Sequence, residues 1–289
     1  MQPSWTVTSA DGVEIAAYEH GGSGDPIVIA HATGFCGPMY NELALNLIDA
    51  HRVVSLDFRG HGNSGRPADD DFSWAKMADD LQAVIDRIDS PVIHGVGHSM
   101  GGATLVLTEL AHPGQYTSLF LFEPIIVPAG LLGTGSNGPN VMASTARARR
   151  PSFDTRAEAL YRYAGRPPLG LMRASILATY VNDGFADGDD GRVHLKCRPD
   201  DEARTFEAND AVRFDMVRGV TTPTVVAAGH DEPGTNPGRF APFIADALPN
   251  GVLQPYPHLG HFGPFQDPDA VAADIRAHIA HVTASVSGQ

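Results

Sequence analysis

The sequence predicts an α/β fold, a mainly parallel sheet covered by helices on both faces and interrupted by one helical insertion. Short apolar runs recur at residues 26–30, 52–56, 91–95, 118–122 and 224–228, as strands buried on both faces do. Between them apolar residues return at helical spacing, as at Met77, Leu81, Val84, Ile85 and Ile88. Strands that alternate with helices imply βαβ units and hence parallel pairing. The alternation breaks once, across residues 128–219, where no convincing core strand is found.

In chain order, residues 5–19 alternate around Asp11-Gly12, with Trp5 and Val7 before the turn and Val13, Ile15 and Ala17 after it. This pattern predicts an N-terminal hairpin. A Gly-Gly-Ser-Gly-Asp-Pro turn then leads into the first apolar run. The interrupted region carries helical stretches at 156–163 and 169–181, several Pro and Gly breaks, and an acidic loop at 183–190. It is expected to form a mostly helical cap, residues 128–219, over a core made of 1–127 and 220–289. Open α/β sheets place their ligands at the strand ends, where such a cap would sit.

A chain of 289 residues, 43% of them hydrophobic, is long enough for one large domain with an insertion. Its formal charge of −14, with no basic stripe or polybasic tail, argues against nucleic acid or an anionic membrane as the main partner. Cys36 and Cys197 are the only cysteines. They lie far apart without metal-ligand spacing, so neither a disulfide framework nor a zinc site is expected. The first residues lack a charged n-region and an apolar h-region, and no stretch is long enough to span a bilayer. A cytoplasmic location is the expectation.

The densest chemical signal is Gly97-His98-Ser99-Met100-Gly101, set between an apolar strand-like run and an apolar helix-like run. It reads as a nucleophile elbow, a strained strand-to-helix turn whose small flanking residues let strand and helix approach while the serine hydroxyl projects into a cleft. A dinucleotide-binding turn would need a small residue at position 100, and Met100 stands there.

Three further segments share the order of parts with this elbow: residues 31–37 (His-Ala-Thr-Gly-Phe-Cys-Gly), 57–64 (Asp-Phe-Arg-Gly-His-Gly-Asn-Ser) and 260–268 (Gly-His-Phe-Gly-Pro-Phe-Gln-Asp-Pro). Together they resemble the α/β-hydrolase superfamily, in its serine-nucleophile branch, over nearly the whole chain. The resemblance implies a mostly parallel eight-stranded sheet, Ser99 as nucleophile and His261 on the late loop as general base, with His258 as its rival. It also implies two oxyanion donors. One is the amide of Met100; the other comes from the 31–37 loop, with Phe35 or Gly34 favoured and Thr33 as a further candidate.

The acid of the triad has two candidate positions. The usual site follows the penultimate strand, here Gly229-His230-Asp231-Glu232, but the Gly-x-x-Asp spacing of the family falls on Glu232 and Asp231 comes one residue early. A second site is used by one haloalkane dehalogenase branch and by the zearalenone lactonases, where a glutamate ends the strand after the elbow helix. This chain has Phe122-Glu123-Pro124 there. A carboxylate at the end of an apolar strand is costly unless paired, so Glu123 is favoured and Asp231 kept as the alternative.

The resemblance thus implies a serine hydrolase for an ester or lactone of a small, largely apolar molecule, without metal or organic cofactor. Leu169, Leu171, Met172, Ile176 and Leu177 in the cap are expected to shape an apolar pocket. A serine rather than an aspartate at the elbow argues against alkyl-enzyme chemistry. Carbon-carbon bond hydrolases, cofactor-free perhydrolases and a non-enzymatic ligand receptor share the fold and stay as alternatives.

Overall fold

The computed structural model describes residues 1–128, 140–208, 212–230 and 237–287. The predicted hairpin is present: β1 (Trp5–Thr8) pairs antiparallel with β2 (Glu14–Gly21), Trp5 opposite Ala17. The central strands are β3 (Ile27–Ala30), β4 (Val53–Leu56), β5 (His94–His98) and β6 (Ser118–Phe122), every residue of which is buried. Between them run α1 (Asn41–Leu45), α2 (Trp74–Ile88) and α3 (Met100–Ala111). The five apolar residues that predicted α2 all face inward, each contributing roughly 1.5–3 kcal/mol of burial. The helix ends at Asp89, whose backbone turns left-handed.

After β6 the chain leaves the sheet. It forms α4 (Val141–Arg147), β7 (Ser152–Phe153), α5 (Arg156–Ala164), α6 (Ala174–Asp183), β8 (Phe185–Asp187), β9 (Val193–Leu195) and α7 (Pro199–Glu207). It returns as β10 (Thr224–Gly229), α8 (Ala241–Ala247), β11 (Gly251–Tyr256), α9 (Gly263–Gln266) and α10 (Pro268–Ser287). The eight-stranded sheet has the order β1-β2-β4-β3-β5-β6-β10-β11, parallel from β4 to β11. From β3 the chain steps first to β4 on one side and then to β5 on the other, so the topological switch point lies between β3 and β5. The crevice at the carboxyl ends of these two strands is where this architecture binds ligands.

Three expectations need correction. The run at 91–95 anticipates β5 by three residues, because Pro91 lacks an amide donor and the pairing begins at His94, opposite Ile27. Besides its helices the region between β6 and β10 carries a small separate antiparallel sheet of β7, β9 and β8. Part of the acidic loop is therefore a strand, in which Phe185 is buried while Ala186 and Asp187 are exposed. Strands of two or three residues carry too little periodicity to be read from sequence. The predicted helix at 169–181 is broken in two, a short 3-10 turn at Leu169–Leu171 followed by α6.

Among the described residues no helix is long and apolar enough to cross a membrane.

Candidate active site

Ser99 sits between β5 and α3 with φ 56° and ψ −115°, a left-handed conformation that costs a non-glycine residue of order 1–3 kcal/mol. The surrounding glycines permit it. A Cβ on Gly101 would lie 2.1 Å from the carbonyl oxygen of Ala30, and one on Gly97 would lie 2.6 Å from the Cα of Gly102. Strand, turn and helix can touch only because both side chains are absent.

Glu123 is the second strained residue, with φ 44° at the end of β6. Its carboxylate is fully buried and doubly satisfied: Oε1 accepts from the Gly229 amide at 2.8 Å, and Oε2 accepts from Nδ1 of His261 at 2.6 Å. A hydrogen bond from Nδ1–H fixes the imidazole tautomer and leaves Nε2 as the basic nitrogen. His261 and Ser99 line the same cavity. The structure thus brings Glu123 to His261, while Asp231 and Glu232 lie outside the described residues. His258 is exposed on the cavity rim, stacked edge-on to Tyr256 at 6.4 Å.

His98, beside the serine, is buried and joins the two loops that flank the elbow. The Ala32 amide donates to the Tyr40 hydroxyl at 3.2 Å, and that hydroxyl lies 2.8 Å from Nδ1 of His98. Nε2 of His98 lies 2.8 Å from the carbonyl oxygen of His261. A carbonyl can only accept, so Nε2 carries the proton and Nδ1 accepts from Tyr40. Burial, reinforced by the nearby His261, pushes the His98 imidazole well below its ordinary titration range, which keeps it in this neutral form. The sequence gives no sign of this relay, because Tyr40 reaches His98 from an element distant in sequence.

The 31–37 loop is held by two more buried histidines. Nε2 of His31 accepts from the Phe58 amide at 2.9 Å, and Nε2 of His61 accepts from the Gly34 amide at 3.1 Å. Burial first, and then their mutual proximity in the case of His31, lowers the titration of both. The Phe35 amide donates to the Ala32 carbonyl at 3.2 Å. Both amides favoured from the sequence as the second oxyanion donor are therefore already engaged. Among the described residues the amides of Thr33 and Met100 donate to no protein acceptor, and Thr33 lines the cavity with Ser99. Of the three candidates the sequence offered, Thr33 is thus the one whose amide is not engaged. The 57–64 turn is architectural: Asp57 accepts from the Gly37 and Asn63 amides at 2.7 Å, and Arg59 is buried against Asp80.

The cavity has two lobes meeting at Ser99, Thr33, His261, Phe262 and Phe206. The larger, about 540 Å³, runs along the histidine loop and is walled by apolar groups including Trp74, Ile125 and Leu171. The smaller, about 220 Å³, is lined by residues 32–35 of the 31–37 loop and by Arg149 and Glu202. Of the expected cap residues, Leu169 and Leu171 line these lobes, whereas Met172, Ile176 and Leu177 are buried in packing. A wider cleft of about 810 Å³ against Arg147, His194 and Lys196 contains none of these groups. Among the described residues no cluster of three or more His, Cys, Asp or Glu could hold a metal ion.

A doubly flanked parallel sheet with a strained serine at the switch point and a histidine-carboxylate pair beside it defines an α/β-hydrolase. The chain belongs to the alpha/beta hydrolase family, whose model matches residues 27–274. It is 36% identical over 265 residues to the non-heme chloroperoxidase CPO-A1 of Kitasatospora aureofaciens, covering 88% of this chain and 90% of that protein. A non-heme chloroperoxidase of Burkholderia pyrrocinia is 27% identical over 288 residues, 94% of this chain and 98% of the relative. Among solved structures, E-2-(acetamidomethylene)succinate hydrolase superposes with a TM-score of 0.82 at 19% identity, over 96% of this chain and 98% of the other. At that identity the likeness speaks for the fold.

Proposed function

We propose that the protein is a serine hydrolase that cleaves an ester or lactone of a small, largely apolar molecule, with residues 128–219 as its cap. The observation that carries this reading is the 2.6 Å contact of His261 Nδ1 with buried Glu123, which leaves Nε2 as the basic nitrogen of a ring that lines one cavity with Ser99. In the first half-reaction Nε2 takes the Ser99 proton as Oγ attacks the substrate carbonyl. The oxyanion is received by the amides of Met100 and Thr33. His261 then returns the proton to the leaving alcohol, and the acyl group stays on Ser99. In the second half-reaction water, deprotonated by the same nitrogen, releases the acid and restores the serine.

A chromogenic acyl ester tests this directly. A stoichiometric burst of the alcohol followed by steady turnover supports the acyl-enzyme, and absence of turnover across acyl chains, aryl esters and lactones refutes it. The name of the 36% identical relative, non-heme chloroperoxidase, favours a second reading on the same residues. There hydrogen peroxide replaces water in the second half-reaction, so the acyl-enzyme is released as a peracid and the serine is regenerated. Peracid formation from a short carboxylic acid and peroxide, abolished by Ser99→Ala, would support it.

A further inference from the structure

We propose that the smaller lobe is an acyl subsite for a short, uncharged acyl group that carries an N–H or O–H donor, read by Glu202. This rests on the serine-hydrolase reading above and adds the substrate class to it. The assignment of sides follows from the chemistry. A leaving group must meet His261, which lines both lobes, and the rest of that histidine's loop, residues 257–260, lines only the larger one. The acyl carbonyl must meet the oxyanion amides, and of their loop Thr33 lines both lobes while Ala32, Gly34 and Phe35 line only the smaller one. Its volume of about 220 Å³ is the space of about seven waters, which limits the acyl group to a few carbons.

Arg149 and Glu202 are the only charged side chains among the described residues lining either lobe. They are paired with each other, Arg149 Nη1 donating to Glu202 Oε2, and Arg149 Nη2 donates to the Tyr180 hydroxyl at 2.5 Å. The other oxygen, Glu202 Oε1, is turned toward the 31–37 loop: a Cβ on Gly34 would lie 2.5 Å from it. Among the described residues nothing donates to Oε1. The Glu202 side chain is 8% exposed, so a ligand seated there covers an acceptor that needs a donor. A carboxylate in the ligand meets Glu202 as a like charge, and the guanidinium that would offset it is already bound.

Three benzyl esters of equal acyl shape separate these cases: the levulinate, ending in a methyl ketone, the succinamate, ending in a primary amide, and the hydrogen succinate, ending in a carboxylate. Wild-type protein is expected to favour the succinamate over the levulinate by about tenfold or more in kcat/KM, with the hydrogen succinate last. In Glu202→Gln the amide oxygen must face Arg149, which only donates, so the amide NH2 faces the lobe. The succinamate preference should then fall to parity or invert, and the hydrogen succinate should gain. Wild-type preference for the hydrogen succinate, equal use of levulinate and succinamate, or a ratio unmoved by Glu202→Gln overturns the subsite. The wild-type ratio needs no variant, so a misfolded Glu202→Gln cannot hide the result. Failure to turn over any ester, with Ser99 inert to a phosphonate, would instead overturn the hydrolase reading itself.

Discussion

The two walls of the cavity are built differently. On the sheet side Ser99, Glu123 and His261 stand at or just beyond the ends of β5, β6 and β11, each within a short local motif. On the other side Arg149, Glu202, Leu169 and Phe206 come from irregular stretches and short helices between β6 and β10, brought together by ion pairs and aromatic packing. The sheet side fixes atoms by backbone geometry, with strained turns at residues 99 and 123 that the surrounding strands hold in place. The insertion side fixes them by side chains meeting side chains. Reaction chemistry is thus encoded locally and selectivity through tertiary contacts, and the two should respond differently to mutation.

The largest expected effect falls on the sheet side. Ser99→Ala and His261→Ala should each abolish turnover, and Glu123→Gln should reduce kcat by about 10⁴-fold, since an orienting acid of this kind holds its histidine in the working tautomer. Steady-state kinetics on a chromogenic ester, with circular dichroism to establish folding, checks all three. Near-normal kcat in Glu123→Gln would place the acid elsewhere.

Tyr40→Phe should act more mildly. It leaves the Ala32 amide without its acceptor and His98 Nδ1 without its donor, a loss of about 1–3 kcal/mol in stability. Displacement of the flanking loops should lower kcat by up to about 10²-fold with KM little changed. Urea unfolding and a kcat-against-KM comparison test it, and a variant matching wild type in both would show the relay to be idle.

A smaller and global effect concerns pH. His31, His61 and His98 are buried and held neutral below the ordinary histidine range, so on acidification the unfolded chain takes up protons that the folded chain does not. Stability from this source is complete above about pH 6.5 and declines below it, with a slope approaching about 1.4 kcal/mol per pH unit for each histidine. Asp57 and Asp80, which burial pushes up, act with the opposite sign in the carboxylate range. The comparison therefore belongs between pH 7 and about 5.5. Equal unfolding free energies at the two pH values would contradict it.

The smallest effect is expected on the outer face of the insertion. Asp187 and Asp190 are exposed and paired with Arg156 and His194, contacts that solvent screens. Asp187→Asn with Asp190→Asn should leave the acyl preference unchanged, and a large change would mean that this surface reaches the site.

Legibility in the sequence followed the same division. The hairpin, the central strands, α2 and the elbow were readable because period-2 and 3.6-residue patterns and fixed glycines are local properties. Glu123 was readable because its place after Ser-Leu-Phe-Leu-Phe matches a second acid site of the resembled family, and a carboxylate at the end of an apolar strand calls for a partner. Thr33 was ranked behind Gly34 and Phe35 because the hydrogen bonds that occupy those two amides come from His61 and from the fold of the loop itself. Arg149 and Glu202 gave no signal, since an arginine after α4 and a glutamate in an acidic helix look like ordinary solvated charges until packing turns both inward. The same holds for β7, β8 and β9, which are too short to show a period.

The central claim, that Ser99, His261 and Glu123 act as one unit, is tested most directly by the rate at which a fluorophosphonate modifies the protein, read by intact mass and peptide mapping. The account predicts a single adduct on Ser99 in the wild type, none in Ser99→Ala, and labelling slowed by orders of magnitude in both His261→Ala and Glu123→Gln. Labelling of another residue, or wild-type rates in folded Glu123→Gln, would contradict it.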